Sequence, residues 1–337
     1  MDTRPFFSIV IPVYNGVTND LPKCLNSIWE QSLDKELYEV ICIDDCSTDN
    51  TRQWLKEQRE QHSNLRIIEN EKNIRQGGAR NKGVKAAKGK YICFIDQDDY
   101  YHQESITQVY EHLKENNLEI LIVDCAYQSP GVVSNKLQHN FSHKEIMTGD
   151  EQIEKNSIPY APWKFIFLKS LMIDNGLFFA ENERIEDIDW VHVLTHHAQR
   201  TQYQPILFIH YNKTTVSTTM TSYKSPETIY STLRVGKRLI ELTKTTFANS
   251  SEKVKDHIRV VGERMYHIGI RSYFFFSDSV KNKSNGINNT VADIAGASFI
   301  VKIAKRYPRT FSATTNIMTP IGKIGMWLYR KIKYFRK

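Results

Sequence analysis

Over its first third, the chain alternates short apolar runs with segments in which apolar residues recur at helical spacing. The apolar runs occupy residues 7–13, 40–43, 65–68, 91–95 and 120–123. Short apolar runs that end at polar or turn-forming residues are typical of buried strands. Strands that alternate with helices pair in parallel, because each crossover returns the chain to the same end of the sheet. The pattern therefore predicts an α/β fold with a mostly parallel sheet and helices on both faces.

The remainder of the chain is less regular. Residues 126–160 are mixed and polar, and they predict no element. Spacing and apolar runs predict helices at 163–175 and 186–199, a strand at 206–209, and helices at 226–247, 252–279 and 320–335. We therefore expect an α/β domain over residues 1–222 and a helical C-terminal region over residues 223–337.

Polar side chains follow three of the predicted strands. Tyr14 and Asn15 follow the first strand, Asp44 and Asp45 end the second, and residues 96–99 (DQDD) follow the fourth. The carboxyl ends of parallel strands meet at one edge of a sheet, which is where ligands bind in such folds. Crowded carboxylates are the ligands that Mg²⁺ or Mn²⁺ prefers, and such a cation can bridge to a diphosphate. The sequence thus points to a metal-assisted nucleotide site.

A dinucleotide site of the Rossmann kind is not expected. Such a site needs a glycine-rich turn after the first strand, so that a pyrophosphate can approach the helix N-terminus. Residues 14–19 contain a single glycine, Gly16. The pattern therefore argues against NAD or FAD binding.

Four segments carry a more specific signal through their order and spacing. They are residues 9–15 (IVIPVYN), 43–51 (IDDCSTDNT), 79–83 (ARNKG) and 94–99 (FIDQDD). Together they resemble family 2 glycosyltransferases of the GT-A fold, of the type that builds bacterial surface polysaccharides, and the resemblance covers residues 6–220. It implies an inverting transfer of a sugar from a nucleoside diphosphate to a hydroxyl group, with Mn²⁺ or Mg²⁺ as cofactor.

The resemblance also implies roles for residues at the strand ends. Asp45 would accept a hydrogen bond from the base, which favours uracil or guanine, and Asp44 would lie beside it. Asp98 and Asp99 would hold the metal ion, whereas Asp96 is either part of the nucleotide-sugar site or a structural carboxylate. The residues assigned to the nucleotide sugar are Pro12, Tyr14, Asn15, Asp44, Asp45, Arg80, Asn81, Asp96 and Asp98.

A second part of the site, further along the chain, follows from the same resemblance. Asp187 would be the base that takes the proton from the acceptor hydroxyl, and Glu186 would orient a neighbouring group. Trp163 would stack on an acceptor sugar, with Lys164 next to it. Two plainer interpretations stay open: Trp163 as a core residue, and the acidic pair as a solvated helix start stabilised by the helix dipole.

The basic charge of the chain is concentrated at its end. Ten Lys and Arg but no Asp or Glu follow Asp293, and without these ten cations the net charge of +7 becomes −3. This distribution argues against a nucleic-acid-binding body. Residues 320–337 combine the charge with interfacial aromatic residues and apolar residues at helical spacing, which is typical of a helix lying in a membrane interface. The alternative is a helix packed on its own domain.

Three further observations bear on location. No apolar stretch reaches the roughly 18 residues of a spanning helix, and no secretory signal is visible. None of the five cysteines forms a CxxC pair, which fits a reducing compartment. We therefore expect a cytoplasmic protein that is peripheral at the inner face of the plasma membrane.

These inferences combine into one predicted function. We expect a metal-dependent hexosyl- or N-acetylhexosaminyltransferase that uses a nucleoside-diphosphate sugar, with a UDP-sugar favoured, and a glycan or polyprenyl-linked acceptor. The setting would be capsule, lipopolysaccharide or exopolysaccharide assembly. The alternatives are a sugar nucleotidyltransferase, which has a similar sheet, and a non-catalytic module that binds sugar nucleotides or glycans.

Overall fold

The structure, a computed structural model, describes residues 4–128, 134–138, 141–212 and 225–275. These residues form two compact units. The first contains the described residues up to 212 together with 242–258, and the second contains 225–241 and 259–275. The predicted domain boundary at residue 222 lies outside the described residues and stays a prediction.

The first unit is an α/β structure. Its strands are β1 (Phe7–Val13), β2 (Tyr38–Asp44), β3 (Leu65–Glu69), β4 (Tyr91–Phe94), β5 (Tyr100–Tyr101), β6 (Ile120–Gln128), β7 (Phe165–Leu168) and β8 (Thr201–Asn212). Its helices are α1 (Leu21–Trp29), α2 (Thr51–Gln61), α3 (Arg75–Ala86), α4 (Ser105–Asn116), α5 (Gly149–Lys155), α6 (Lys169–Asp174) and α7 (Asp187–His197). The predicted alternation of strands and helices up to β6 is confirmed.

All of these strands belong to one 8-stranded sheet in the order β3-β2-β1-β4-β7-β6-β8-β5. Only β7 and β5 run antiparallel to their neighbours, so the expected mostly parallel sheet with helices on both sides is confirmed. The parallel strands end on one side of the sheet, here called the carboxyl edge. It is marked by Val13, Asp44, Phe94, Gln128 and Asn212.

The central strands are buried along their whole length. Every residue of β1 and β2 is buried, because helices cover both faces of a parallel sheet. Cys42 lies in β2 and Cys93 in β4, the other neighbour of β1. Both are small buried side chains, as the sequence predicts. The core therefore sits directly beneath the polar groups of the carboxyl edge.

The helix predicted at residues 163–175 is wrong. A 3₁₀ helix, Pro162–Lys164, leads into the strand β7, and the α-helix is limited to Lys169–Asp174. Three consecutive apolar residues at the start of β7 are fully buried between β4 and β6, and periodicity cannot distinguish so short a run from a buried helical segment. Because β7 is antiparallel, its first residues lie at the carboxyl edge, which brings Trp163 there.

The second unit is helical. It contains most of α8 (Pro226–Leu242) and the later part of α9 (Glu252–Phe275). The two helices pack closely at Gly236 and Gly262, where a Cβ added to either glycine would lie 2.9 Å from the carbonyl oxygen of the other. These helices confirm the helical character predicted for this region, whereas the helix predicted at 320–335 lies outside the described residues. Within the described part of the chain, no helix combines the length and apolar character needed to cross a membrane.

Candidate active site

A buried arginine joins two of the predicted acidic motifs. Arg80, on α3, donates from Nη2 to Asp96 Oδ1 at 2.7 Å and from Nη1 to Glu186 Oε1 at 2.6 Å. Its side chain is 3% exposed, so the guanidinium and its ion pair with Glu186 are shielded from water. Burial opposes the charge of Arg80, but Asp96 and Glu186 outweigh it and raise the pKa of the guanidinium. The group is a fixed cation between the two motifs.

The start of α7 carries the predicted catalytic pair. Burial, reinforced by the charge of Glu186, raises the pKa of Asp187 to about 8, although Arg80 opposes the shift. Burial also raises the pKa of Glu186 against the pull of Arg80. A carboxyl whose pKa lies near the working pH is well suited to exchange a proton with a substrate. The start of α7 can lie this close to α3 because residue 77 is a glycine. A Cβ added to Gly77 would lie 3.0 Å from Glu186 Cγ.

Asp99 is the most deeply buried carboxylate of the loop that follows β4. It is 1% exposed, and its Oδ1 accepts a hydrogen bond from Asn212 N at 2.8 Å. Its Oδ2 has no hydrogen-bond partner within the described part of the chain. Burial raises the pKa of Asp99, and the charges of Asp98 and Asp96 raise it further. A buried oxygen without a partner calls for an explanation, and a bound cation would supply one.

The residues of this loop fit a divalent cation that is completed by substrate. Among the described residues, no group of three or more His, Cys, Asp or Glu is arranged to hold a metal ion. Mg²⁺ is usually bound through one or two carboxylates together with substrate phosphates and water, rather than by a cage of protein ligands. The adjacent carboxylates of Asp98 and Asp99 match that requirement.

The loop after β1 is connected to the same acidic loop. Tyr14 N donates to Gln97 Oε1 at 2.8 Å, and Gln97 Nε2 donates back to Tyr14 O at 2.9 Å. The Tyr14 side chain is 45% exposed, whereas Pro12 is buried within β1. Asn15 has φ 50°, and its Oδ1 accepts from Thr48 N at 2.8 Å. The Tyr14 ring is therefore exposed at the carboxyl edge, and contacts of Pro12, Tyr14 and Asn15 with a base or ribose stay predictions.

The two aspartates at the end of β2, Asp44 and Asp45, make different contacts. Asp44 is fully buried and accepts from Arg52 Nε at 2.6 Å, so its carboxylate serves an internal ion pair. Asp45 Oδ1 accepts from Ile74 N at 2.8 Å and from Asn70 Nδ2 at 2.9 Å. Asp45 thus connects the end of β2 to the chain that enters α3. A contact of either carboxylate with a base stays a prediction.

Asn81 and Arg80 both have protein partners. The Asn81 side chain donates to Phe179 O and accepts from Phe179 N, each at 2.9 Å. These bonds hold the segment that leads to α7 against α3. The structure thus gives Asn81 a positioning contact, and its predicted contact with the nucleotide stays a prediction, as does that of Arg80.

The predicted acceptor residues lie at the carboxyl edge but are largely buried. Trp163 is 7% exposed, and its ring stacks on Tyr211 with centroids 5.8 Å apart. Lys164 is also buried, and its Nζ donates to Asp124 Oδ1 at 2.9 Å. The Tyr127 ring, 37% exposed, packs edge-on against Tyr211 at 5.7 Å.

The sequence analysis did not single out several of these residues. They are Asp124, Tyr127 and Asn212. Their positions depend on strand pairing, since β6 and β8 are parallel neighbours that place Tyr127 opposite Tyr211. Tyrosines at the ends of two strands of the same sheet are the signal that would have drawn attention to Tyr127, whereas Asp124 and Asn212 carry no such signal.

The fold and the site together define the class of protein. A mostly parallel sheet carries an acidic loop after β4, a polar loop after β1 and an acidic pair at the start of α7, all at its carboxyl edge. This is the GT-A arrangement of nucleotide-diphospho-sugar transferases. Residues 8–175 match the family model described as Glycosyl transferase family 2, and the α/β unit of the chain belongs to that family.

Two curated relatives illustrate the similarity. The chain is 44% identical to a poly(ribitol-phosphate) beta-glucosyltransferase from Bacillus spizizenii over 116 residues, which cover 34% of this chain and 18% of the relative. It is 32% identical to the poly(ribitol-phosphate) beta-N-acetylglucosaminyltransferase TarS from Staphylococcus aureus over 179 residues, which cover 52% of this chain and 30% of TarS. The matches thus span less than a third of the length of either relative.

Solved structures show the same fold. The crystal structure of S. aureus TarS 1–349 in complex with UDP-GlcNAc aligns with a TM-score of 0.65 at 20% identity, covering 94% of this chain and 92% of that chain. The mannosyltransferase PcManGT from Pyrobaculum calidifontis, in complex with GDP-Man and Mn²⁺, aligns with a TM-score of 0.53 at 13% identity, covering 93% and 85%. At these identities the likeness shows the fold.

Proposed function

We propose that this chain is a metal-dependent, inverting glycosyltransferase that moves a hexosyl or N-acetylhexosaminyl unit from a UDP-sugar to a hydroxyl group of a surface polymer. The observation that carries the proposal is the position of Arg80. It holds the loop of Asp98 and Asp99 next to the acidic pair at the start of α7. A site for a diphosphate and a site for proton removal therefore adjoin, as one transfer step requires.

The proposed reaction is a single displacement at the anomeric carbon. The acceptor oxygen forms a bond to that carbon while the bond to the diphosphate oxygen breaks, and UDP leaves with the bonding electron pair. Asp187 takes the proton of the acceptor hydroxyl, so it must be ionised beforehand. A divalent cation held by Asp98 and Asp99 would supply charge compensation for the leaving diphosphate.

The remaining charged groups support this step through position. Glu186, paired with Arg80, keeps the start of α7 against α3 and raises the proton affinity of Asp187. Asp45 and the exposed ring of Tyr14 flank the place proposed for the base. The uracil preference follows from Asp45 only if its second oxygen accepts the ring N–H, which is the arrangement we propose.

The names of the relatives guide the choice of acceptor. Both act on poly(ribitol-phosphate), so we propose a polyol phosphate or related surface polymer, with polyprenyl-linked glycans as the wider class. Residues 320–337, which lie outside the described residues, would bring the enzyme to the inner face of the membrane through their basic, amphipathic pattern.

A transfer assay with a matched pair of variants tests the proposal. The wild type is incubated with UDP-GlcNAc or UDP-glucose, Mn²⁺ and poly(ribitol-phosphate), and UDP release and product mass are measured, with the anomeric configuration read by NMR. We expect Asp187→Asn to abolish transfer while UDP-sugar binding survives. Asp189→Asn, the same change two positions further along α7, is the control and should keep transfer. Near-full turnover by Asp187→Asn would show that the assigned base is wrong.

A further inference from the structure

An aromatic face at the carboxyl edge is not used by the donor half of the proposed site. It consists of the side chains of Tyr127 and Tyr211, which the parallel register of β6 and β8 places opposite each other on one face of the sheet. Their ring centroids are 5.7 Å apart, at an angle of 64°. Tyr127 is 37% exposed, which is unusual for a large ring at the end of a buried strand. The name "aromatic face" is used below for these two rings.

The aromatic face is adjacent to the proposed metal loop. Asn212, the residue after Tyr211, donates its backbone N–H to Asp99 Oδ1 at 2.8 Å, and its side chain donates to Asp20 Oδ2 at 2.9 Å. The end of β8 is therefore fixed to the loop that would hold the diphosphate. The aromatic face therefore follows on directly, through the chain from Asn212 to Tyr211, from the loop that would hold the diphosphate.

A stack beneath the aromatic face keeps it in place. The Trp163 ring lies nearly parallel to Tyr211, at 19° and 5.8 Å. Trp163 is 7% exposed, so it supports Tyr211 from below and offers little surface to a ligand. The exposed partner of this aromatic cluster is Tyr127, which makes Tyr127 the better candidate for direct contact with a sugar.

A buried ion pair fixes this support in turn. Lys164, next to Trp163, donates to Asp124 Oδ1 at 2.9 Å, and Tyr203 Oη donates to Asp124 Oδ2 at 3.2 Å. Asp124 is fully buried and lies at an irregularity in the pairing of β6 with β8. A paired charge at this depth holds a single geometry, because moving either partner leaves the other unpaired in the interior. The ammonium group of Lys164 thus points into the protein.

We propose that the aromatic face binds a hydroxyl-rich unit of the acceptor, a sugar ring or a polyol, and that the Asp124–Lys164 pair positions it through Trp163. Sugars and polyols present carbon-bound hydrogens that pack on aromatic faces, while the tyrosine hydroxyls can bond to their oxygens. This inference rests on the proposed function and assigns Lys164 to positioning the acceptor site. Tyr127 and Tyr211 then determine which acceptor is accepted.

Saturation-transfer NMR on the full chain tests this inference without knowledge of the natural acceptor. The probes are methyl β-D-glucopyranoside, the methyl glycoside of N-acetylglucosamine, and ribitol 5-phosphate, each with UDP and Mg²⁺. At least one probe should receive saturation from the wild type, and Tyr127→Ala should weaken its binding by about fivefold. Which probe binds distinguishes a sugar ring from a polyol phosphate.

Two further variants serve as controls for the ring. Tyr127→Phe keeps the ring and should keep most of the binding. Phe178→Ala removes an equally exposed ring, 38% exposed, which packs beside Lys85 near the end of α3 and away from the carboxyl edge. It should leave probe binding unchanged. If Tyr127→Ala binds the probe as well as Phe178→Ala does, or if no probe receives saturation, the aromatic face is not an acceptor site.

A separate variant tests whether the Asp124–Lys164 pair positions the aromatic face. Removing Lys164 by itself leaves Asp124 charged and unpaired, so the double change Asp124→Asn with Lys164→Met keeps the interior neutral. A cooperative melting transition would establish that the double variant is folded, and we expect weaker probe binding with unchanged saturation of UDP. Unchanged probe binding in the folded double variant would overturn the positioning role. Failure of UDP itself to bind to the wild type would instead contradict the proposed function.

Discussion

Arg80 Nη1 and Glu186 Oε1 lie 2.6 Å apart, although the two residues are separated by 106 positions in the chain. The contact joins α3 to the start of α7, and the second nitrogen of the same guanidinium reaches Asp96. One buried side chain therefore sets the distance between the acidic loop after β4 and the proposed base. Substituting it should affect both halves of the reaction at once.

The first prediction concerns Arg80→Lys. Lysine keeps the charge but lacks the planar fork that bonds two carboxylates simultaneously. We expect kcat/KM to fall by roughly 100-fold, equivalent to about 2.7 kcal/mol, with donor affinity and turnover both impaired. Steady-state kinetics with varied UDP-sugar measure the loss.

Arg66→Lys is the control for this change. Arg66 also bonds two protein groups, Glu39 at 2.6 Å and Ala86 O at 2.8 Å, but away from the carboxyl edge. The Arg66→Lys change should lower the melting temperature without a comparable loss of kcat/KM. Similar kinetic losses in the two variants would mean that Arg80 contributes only to folding.

The second prediction concerns pH. Burial and the charge of Glu186 raise the pKa of Asp187 to about 8 in the ligand-free protein. A base acts in its ionised form, so kcat/KM should rise with pH and level off above about 8, since this ratio reports ionisations of the free enzyme. Glu186→Gln removes a negative neighbour and should move the rise to lower pH. A profile that is flat between pH 6 and 9, or unmoved by Glu186→Gln, would count against Asp187 as the base.

The third prediction separates stability from function at Asp99. Folding raises the pKa of this carboxyl, so its ionised form costs stability, and the cost grows as pH rises above the ordinary pKa of aspartate. Without metal at neutral pH, Asp99→Asn should therefore melt at the same temperature as the wild type or higher. The same variant should lose transfer and the Mn²⁺-dependent part of UDP binding, measured by calorimetry.

Asp44→Asn provides the contrast for Asp99→Asn. Asp44 is equally buried but is paired with Arg52 at 2.6 Å, so removing its charge breaks this ion pair and should lower the melting temperature. If Asp99→Asn destabilises the metal-free protein as much as Asp44→Asn does, Asp99 has a structural role that the proposed metal site does not explain.

The fourth prediction concerns residues 318–337, which lie outside the described residues. Their basic and aromatic pattern predicts binding to anionic membranes. Deleting them should move the protein from the membrane fraction to the supernatant and abolish sedimentation with phosphatidylglycerol vesicles, while donor hydrolysis is retained. An unchanged distribution between fractions would show that this segment does not anchor the chain.

Much of the fold could be predicted from local pattern. The alternation up to β6 rests on apolar runs that report burial on both faces of a sheet, and these runs were found where the strands lie. The strand β7 was missed because Phe165–Leu168 is too short for its period to be read, and its antiparallel direction is fixed only by β4 and β6. Pairing with strands that are distant in the sequence cannot be predicted from a short stretch of residues.

For the candidate site, too, the motifs could be found in the sequence, whereas the contacts between separate elements could not. The acidic loop, the Glu186–Asp187 pair and Trp163 were identified from motifs, and the structure places them at one edge of the sheet. The partners of Asp44 and Lys164 were not predictable, because they are set by contacts between separate elements. Residue type signals that a charge needs a partner, but only the fold decides which partner it receives.

The most direct test of the central claim is the binding of sugar nucleotides to the wild type and to Asp99→Asn, with and without Mn²⁺. UDP-GlcNAc, UDP-glucose and GDP-mannose are compared by thermal shift, since a ligand that binds only the folded state raises the melting temperature. We predict a shift with a UDP-sugar that requires Mn²⁺ and disappears in Asp99→Asn. No shift with any of the three nucleotides, or an equal shift in Asp99→Asn, would contradict a metal-dependent sugar-nucleotide site at this edge.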